Sequence, residues 1–239
     1  MKLPTMVHRT ASYSVGMTQD DATHSPRSPR TTVRRGAKRA QYDPAEMRAI
    51  LRDGMVAHVA VQTDEGPLVL PMIYGIMGDT MYLHGALANS LLKAGADTQI
   101  CATVTIVDGL VFAKTAFNHS MNYRSVVVRG AARVVTDPQE HLEALKVMTD
   151  HIVETWDHVR PPSDSELRAT RVVALPLTEM SAKIRNEGAI NVPEDEGAAY
   201  WAGHVPLTAT FGAPVTNEDA GADVPANVAA LHGRDAHSR

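Results

Sequence analysis

One cysteine, Cys101, stands in a chain of 239 residues, so an intramolecular disulfide is excluded. It lies within the apolar run QICATVTIV and reads as a small buried hydrophobe, which suits a reducing compartment. No stretch reaches the ~18 consecutive apolar residues of a membrane span, and the N-terminus lacks the apolar core of a secretory signal. Excess charge of either sign is also small. The net charge is only -4, which leaves no overall footprint for nucleic acid or an anionic membrane. The expectation is a soluble, cytoplasmic protein that binds neither.

The common catalytic signatures are missing too. There is no GxGxxG after a strand, no phosphate-binding GxxxxGKS or GxxxxGKT, no GxSxG elbow and no HExxH. The 11 histidines are spread out and form no Cys/His cluster with zinc spacing, so no metal site is expected.

With 44% hydrophobic residues, the chain can bury one substantial core. Residues 1–40 contain SPRSPR and TTVRRGAKR without hydrophobic periodicity, and are expected to form a disordered basic tail. Residues 216–239 are rich in Ala, Gly, Asp and His, and are expected to form a second disordered tail, leaving 41–215 for the fold. That segment opens on a helix signal: Asp43 as N-cap, Pro44 in the first turn, Glu46 behind it and Gly54 to close. MVAHVAVQT, PLVLPMIYGIM and TMYLHGA then alternate with turn residues as an antiparallel meander. QICATVTIVDG and LVFAKTAF are expected to pair around a turn at Asp108 and Gly109, and YRSVVVRGAARVVT reads as a long strand bent at Gly130. Asp137 and Pro138 cap an amphipathic helix. These elements predict an α+β fold, mainly β: a small closed antiparallel barrel with flanking helices.

Two polar patches carry chemistry. Asn118 to Gly130, NHSMNYRSVVVRG, gathers Ser120, Asn122, Tyr123, Arg124 and Ser125 at a strand entrance. A guanidinium fork beside hydroxyl donors can hold a phosphate or a ring carbonyl, while the alternative is a solvated strand entry with Arg124 in a surface ion pair. In the second patch, YLHGALANSLLKAG, Tyr82 and His84 share one strand face and Gly85 permits close approach. Asn89 and Ser90 there open a short helix whose free amides could receive a phosphate. For His84 alone, a satisfied structural histidine is the commoner outcome.

The order HGALANSLLKAG, then VDGLVFAKTAFNHSMNYRSVVVRGAARVV, then SAKIR and WAGHVPL resembles the flavin-nucleotide-binding proteins of the pyridoxamine 5'-phosphate oxidase-like superfamily, on the nitroimidazole-resistance branch. The resemblance spans about Tyr42 to Gly212. It implies a six-stranded split barrel with extra strands and helices that binds FMN, built as a homodimer with two cofactor sites at the interface. It assigns cofactor contacts to Tyr82, His84, Gly85, Asn89, Ser90 and Leu91, and to Ser120, Asn122, Tyr123, Arg124 and Ser125. Pro71, Met72 and Ile73 would lie along the ring, with Lys183, Arg185 and Trp201 contributing from the C-terminal side. The activity implied is a two-electron reduction of a small electrophile, such as a nitroaromatic or quinone, by a reduced nicotinamide (NAD(P)H), with His84 as acid or base. The same barrel can hold a deazaflavin (F420) or haem, or serve as a non-catalytic flavin module. The segment NEGAINVPEDEG replaces the Gly-Pro-Pro run common after SAKIR on this branch, so the C-terminal lid is expected to differ.

Overall fold

The computed structural model describes residues 25–237. Helix α1 (Pro44–Asp53) forms where its signals placed it. The Asp43 side chain accepts from the Ala45 N–H at 2.9 Å, the Gly54 N–H closes onto the Ile50 carbonyl, and Met47, Ile50 and Leu51 are buried.

Strands β1 (Ala40–Gln41), β2 (Ala57–Thr63), β3 (Gly66–Met72), β6 (Gln99–Phe112), β7 (Ser120–Ala131), β10 (Glu179–Arg185) and β11 (Gly203–Pro206) make one antiparallel sheet. Its order is β1-β10-β7-β6-β2-β3, with β11 paired to the end of β6. A second antiparallel sheet holds β4 (Tyr74–Met77), β5 (Thr80–Ala86), β9 (Thr170–Pro176) and β8 (Arg133–Val134), in the order β4-β5-β9-β8. The chain passes from the first sheet to the second at Ile73 and again after Ala131, next to the buried Gly130. The fold is therefore mainly antiparallel β with few helices.

The main core lies between the sheets. Val59, Val104, Val126 and Val128 from the first join Met81, Leu83, Val173 and Leu175 from the second, together with Leu51 of α1 and Leu91 and Leu92 of α2 (Ser90–Gly95). Helix α3 (Pro138–Thr149), capped by Asp137 at 2.8 Å, packs Ala144 and Met148 on the other side of the second sheet against Tyr82, Val172 and Ala174. Gly75 is what admits it so closely, since a Cβ there would lie 2.6 Å from the Met148 nitrogen.

One expectation fails at Asp108 and Gly109, which form no turn. β6 runs unbroken through them, with a register shift against β7 between Val107 and Gly109. The irregularity is a bulge held by its neighbours: Asp108 pairs with Arg124, and a Cβ on Gly109 would lie 2.8 Å from the Val205 carbonyl of β11.

Of the two regions expected to be tails, residues 1–24 and 238–239 lie outside the described residues. Residues 25–39 lie against the first sheet: Arg30 pairs with Glu179 and donates to Gln99, and Thr31 is buried. Toward the C-terminus, Thr210 bridges Asp235, and the Asn227 amide donates to the Glu154 carbonyl beside the short helix α5 (Ala226–Ala229), α4 being Asp164–Ala169. Polar and backbone contacts hold both segments, and such contacts leave no hydrophobic rhythm in a sequence.

Candidate functional site

Strand geometry divides the NHSMNYRSV patch, because successive side chains on β7 point to opposite faces. Val126 and Val128 enter the core, whereas Ser125, Val127 and Arg129 face outward, as does Tyr123 by the same alternation. Register then builds rows across the outer face of the first sheet. Thr105, Ser125, Lys183 and Ala40 stand side by side on β6, β7, β10 and β1, with the two hydroxyls bonded at 2.9 Å. Another row runs Pro71, His58, Thr103, Val127 and Ser181 from β3 to β10. Of the residues expected to bind cofactor, Tyr123, Ser125, Lys183 and Pro71 share this face. Ser120 is exposed at the start of β7.

Asn122 and Arg124 alternate away from this face, and Arg185, in register with Tyr123 at the end of β10, is committed to partners within the chain. Arg124 is held by two carboxylates, Asp53 at 2.7 Å and Asp108 at 3.0 Å. Burial opposes its charge, but the bonds to Asp108 and Asp53 raise its pKa all the same. The guanidinium fork is thus filled from within the chain, the ion-pair alternative that its sequence context allowed. Arg185 has a side chain only 1% exposed and donates to the buried Asn122 side chain and to the carbonyls of Glu187 and Gly188, each at 2.8 Å. It fastens the segment after β10 to the sheet. Lys114 continues that fastening, its N–H donating to Asn191 and its ammonium to the Asp195 carbonyl.

The second patch lies on the second sheet. Tyr82 is 3% exposed beneath α3, and its hydroxyl donates to Glu140 at 2.8 Å. Burial, then that carboxylate, raises the phenol's pKa. His84 follows on the same face and is exposed at its edge, and partial burial lowers its imidazole pKa from the ordinary 6.5. Gly85 lets α2 lie close, a Cβ there falling 3.1 Å from the Asn89 amide. The Asn89 carbonyl oxygen accepts from the Leu92 N–H at 3.1 Å, so this cap is already in use, and Leu91 is core. Met72 is buried, while Ile73 is half exposed at the crossover between sheets. Among the described residues no hydrogen bond joins the Tyr82 to Leu91 stretch to the Ser120 to Ser125 stretch. Along β6, the Gln99 end near α2 and Thr105 opposite Ser125 are six residues apart, about 20 Å.

The sequence reading passed over an apolar surface beyond the bulge. Val205 of β11, Leu110 of β6 and Met121 of β7 are direct neighbours in register and are 50%, 48% and 44% exposed. Trp201, also exposed, leans on Phe112 at 5.9 Å between ring centres, and Phe112 meets His119 edge-on at 5.5 Å. Taking Asp108 and Gly109 for a turn had concealed this extension of the strands.

The profile of the pyridoxamine 5'-phosphate oxidase family matches residues 43–184, from the cap of α1 to the end of β10. The chain belongs to this family. Among solved structures it is similar to the flavocytochrome Anf3 from Azotobacter vinelandii, with 32% identity, a TM-score of 0.82, and 87% of this chain and 98% of that one covered. It is similar also to the FAD and heme binding protein from Mycobacterium smegmatis, with 30% identity, a TM-score of 0.78, and 83% and 99% covered. A third likeness is to a structure described as a 5-nitroimidazole antibiotic resistance protein from Bacteroides thetaiotaomicron, with 24% identity, a TM-score of 0.52, and 61% and 86% covered; this shows the common fold. No curated protein sequence matches the chain. Among the described residues no helix is long and apolar enough to cross a membrane, and no three potential metal ligands cluster.

Proposed function

We propose that this family member is a flavin- and haem-binding redox protein, a homodimer that passes electrons from a reduced nicotinamide to a small acceptor. The observation that carries the reading is the pair of relatives at 32% and 30% identity, whose likeness extends past the family match over 87% and 83% of the chain. One is a flavocytochrome and the other binds FAD and haem. FAD is therefore the flavin we propose, in place of FMN, and haem moves from an alternative to a companion cofactor. The two sheets, of seven and four strands, are read as the family's six-stranded split barrel with extra strands added.

The residues present fit both groups. For a flavin, the outer face of the first sheet offers a half-buried apolar strip at Val107 and Val127, the Thr105 and Ser125 hydroxyls, the Tyr123 phenol and the Lys183 ammonium. Neutral donors suit ring carbonyls and the cation suits phosphate. For haem, His84 supplies an imidazole whose pKa partial burial lowers, favouring the neutral form that ligates iron, with Leu87 three residues on and Ile73, next to the Tyr74–Leu83 pair, as exposed apolar surface. When bound, the flavin supplies two-electron hydride chemistry and the haem one-electron chemistry. The protein's part is to place Ser125, Thr105 and Lys183 on one rigid sheet, to present the His84 imidazole at the edge of the second sheet, and to exclude water by covering the exposed Val205, Leu110 and Met121 row with a second copy. That pairing brings the patches, separate in one subunit, into one assembly.

The test is the visible spectrum of the native protein and of His84→Ala. The reading predicts flavin and Soret bands in the first, and loss of the Soret band with flavin retained in the second. A native protein lacking both bands overturns it, and an unchanged Soret band in the variant removes His84 as ligand.

A further inference from the structure

The stretch before α1 holds the densest positive charge in the chain. Between Asp21 and Asp43 there are six Arg and Lys residues and no Asp or Glu, although the whole protein is net negative. Two of the six are matched, Arg30 by Glu179 and Arg39 by Glu187 at 3.6 Å. Arg34, Arg35 and Lys38 are exposed and form no ion pair or side-chain hydrogen bond with any described residue, and Lys183 likewise forms none.

These unmatched cations are held in place. The Val33 N–H donates to the Tyr42 hydroxyl at 2.8 Å, the Arg39 N–H closes a short turn onto the Gly36 carbonyl at 2.9 Å, and Ala40 pairs with Lys183 in the sheet. Gly36 sits at φ 67, the left-handed region that favours glycine, and the position of its missing Cβ is 3.5 Å from the Lys183 ammonium. The turn therefore lies at the edge of the same outer face that carries Ser125 and Thr105, one and two strands away from Lys183. Like charges gathered without counter-charge repel one another, and an anion relieves that repulsion. The whole turn precedes residue 43, where the family match begins.

We infer that the Arg34 to Lys38 turn, closed against Lys183, is a binding site for the phosphate groups of a nucleotide cofactor. Two sources share that chemistry: the flavin's own phosphates and those of the nicotinamide donor. The flavin source rests on the function proposed above.

The experiment compares cofactor-stripped wild type with the Arg34→Ala/Arg35→Ala/Lys38→Ala variant and with Lys183→Ala, titrating each with riboflavin, FMN, FAD and ADP-ribose at low and high salt. The inference predicts that FAD or ADP-ribose binds at least about tenfold more weakly to the triple variant, with a shallower salt dependence, as lost charge-assisted contacts require. Riboflavin, which has no phosphate, binds all three proteins equally and reports that the ring site is folded. A flavin-specific loss assigns the site to the flavin, and a loss confined to ADP-ribose assigns it to the donor. Equal affinities of wild type and variant for every phosphate-bearing probe overturn the inference while leaving the flavin reading standing. Arg34-dependent binding of ADP-ribose without any flavin binding sinks the flavin reading alone.

Discussion

At the scale of single residues, two imidazoles set an acid limit on the fold. Burial lowers the pKa of His84 and of His141 below 6.5, and the buried His141 Nε2 has no partner among the described residues. Protonating either ring costs more in the folded chain than in the unfolded one. Their contribution to stability is therefore whole above the unfolded pKa and is lost as pH falls through that value toward the lower folded one. Thermal unfolding between about pH 7.5 and 5.5 is expected to show Tm falling with pH, and the His141→Gln variant, which leaves the proposed haem ligand in place, is expected to flatten that slope. An unaltered slope would show that other groups carry it. Residue identities in the polar patches were legible in the sequence, but their partners were not. Arg124 looked like an anion fork until folding brought Asp53 and Asp108 to it, and Arg185, a cofactor contact by resemblance, instead donates to Asn122 and to the loop that follows it. Such contacts join residues far apart in the chain and leave no local trace.

Elements were read best where local chemistry fixes them. Asp43 with Pro44 and Asp137 with Pro138 begin helices where capping rules placed them, and Gly66 and Gly78 take positive φ at the hairpin turns. The Asp108-Gly109 pair has the same composition as a turn, and only the neighbouring β11 makes it a bulge, so no local rule separates the two cases. The packing of α3 on the second sheet is a sharper test of the architecture. Gly75→Ala would drive a methyl into the backbone of α3 at Val147 and Met148, which cannot yield as a side-chain tip would. The expected cost is roughly 3 kcal/mol, or on the order of 10 °C in Tm, measured by calorimetry. A variant as stable as the parent would mean that α3 stands further from β4 than described.

For the whole molecule, the proposed homodimer covers the Val205, Leu110 and Met121 row. Leu110→Asp is expected to leave the subunit folded, since the side chain is exposed there, within about 0.5 kcal/mol of the parent. It is expected to shift sedimentation from dimer to monomer and to lower bound cofactor in parallel. A dimer that persists with full cofactor places the interface elsewhere. The measurement that bears most directly on the account is denaturing release of the cofactors from native protein, followed by chromatographic identification and quantitation per subunit. FAD and haem are expected together, each near one per subunit. Protein folded and pure but free of both would contradict it, as would a deazaflavin in their place.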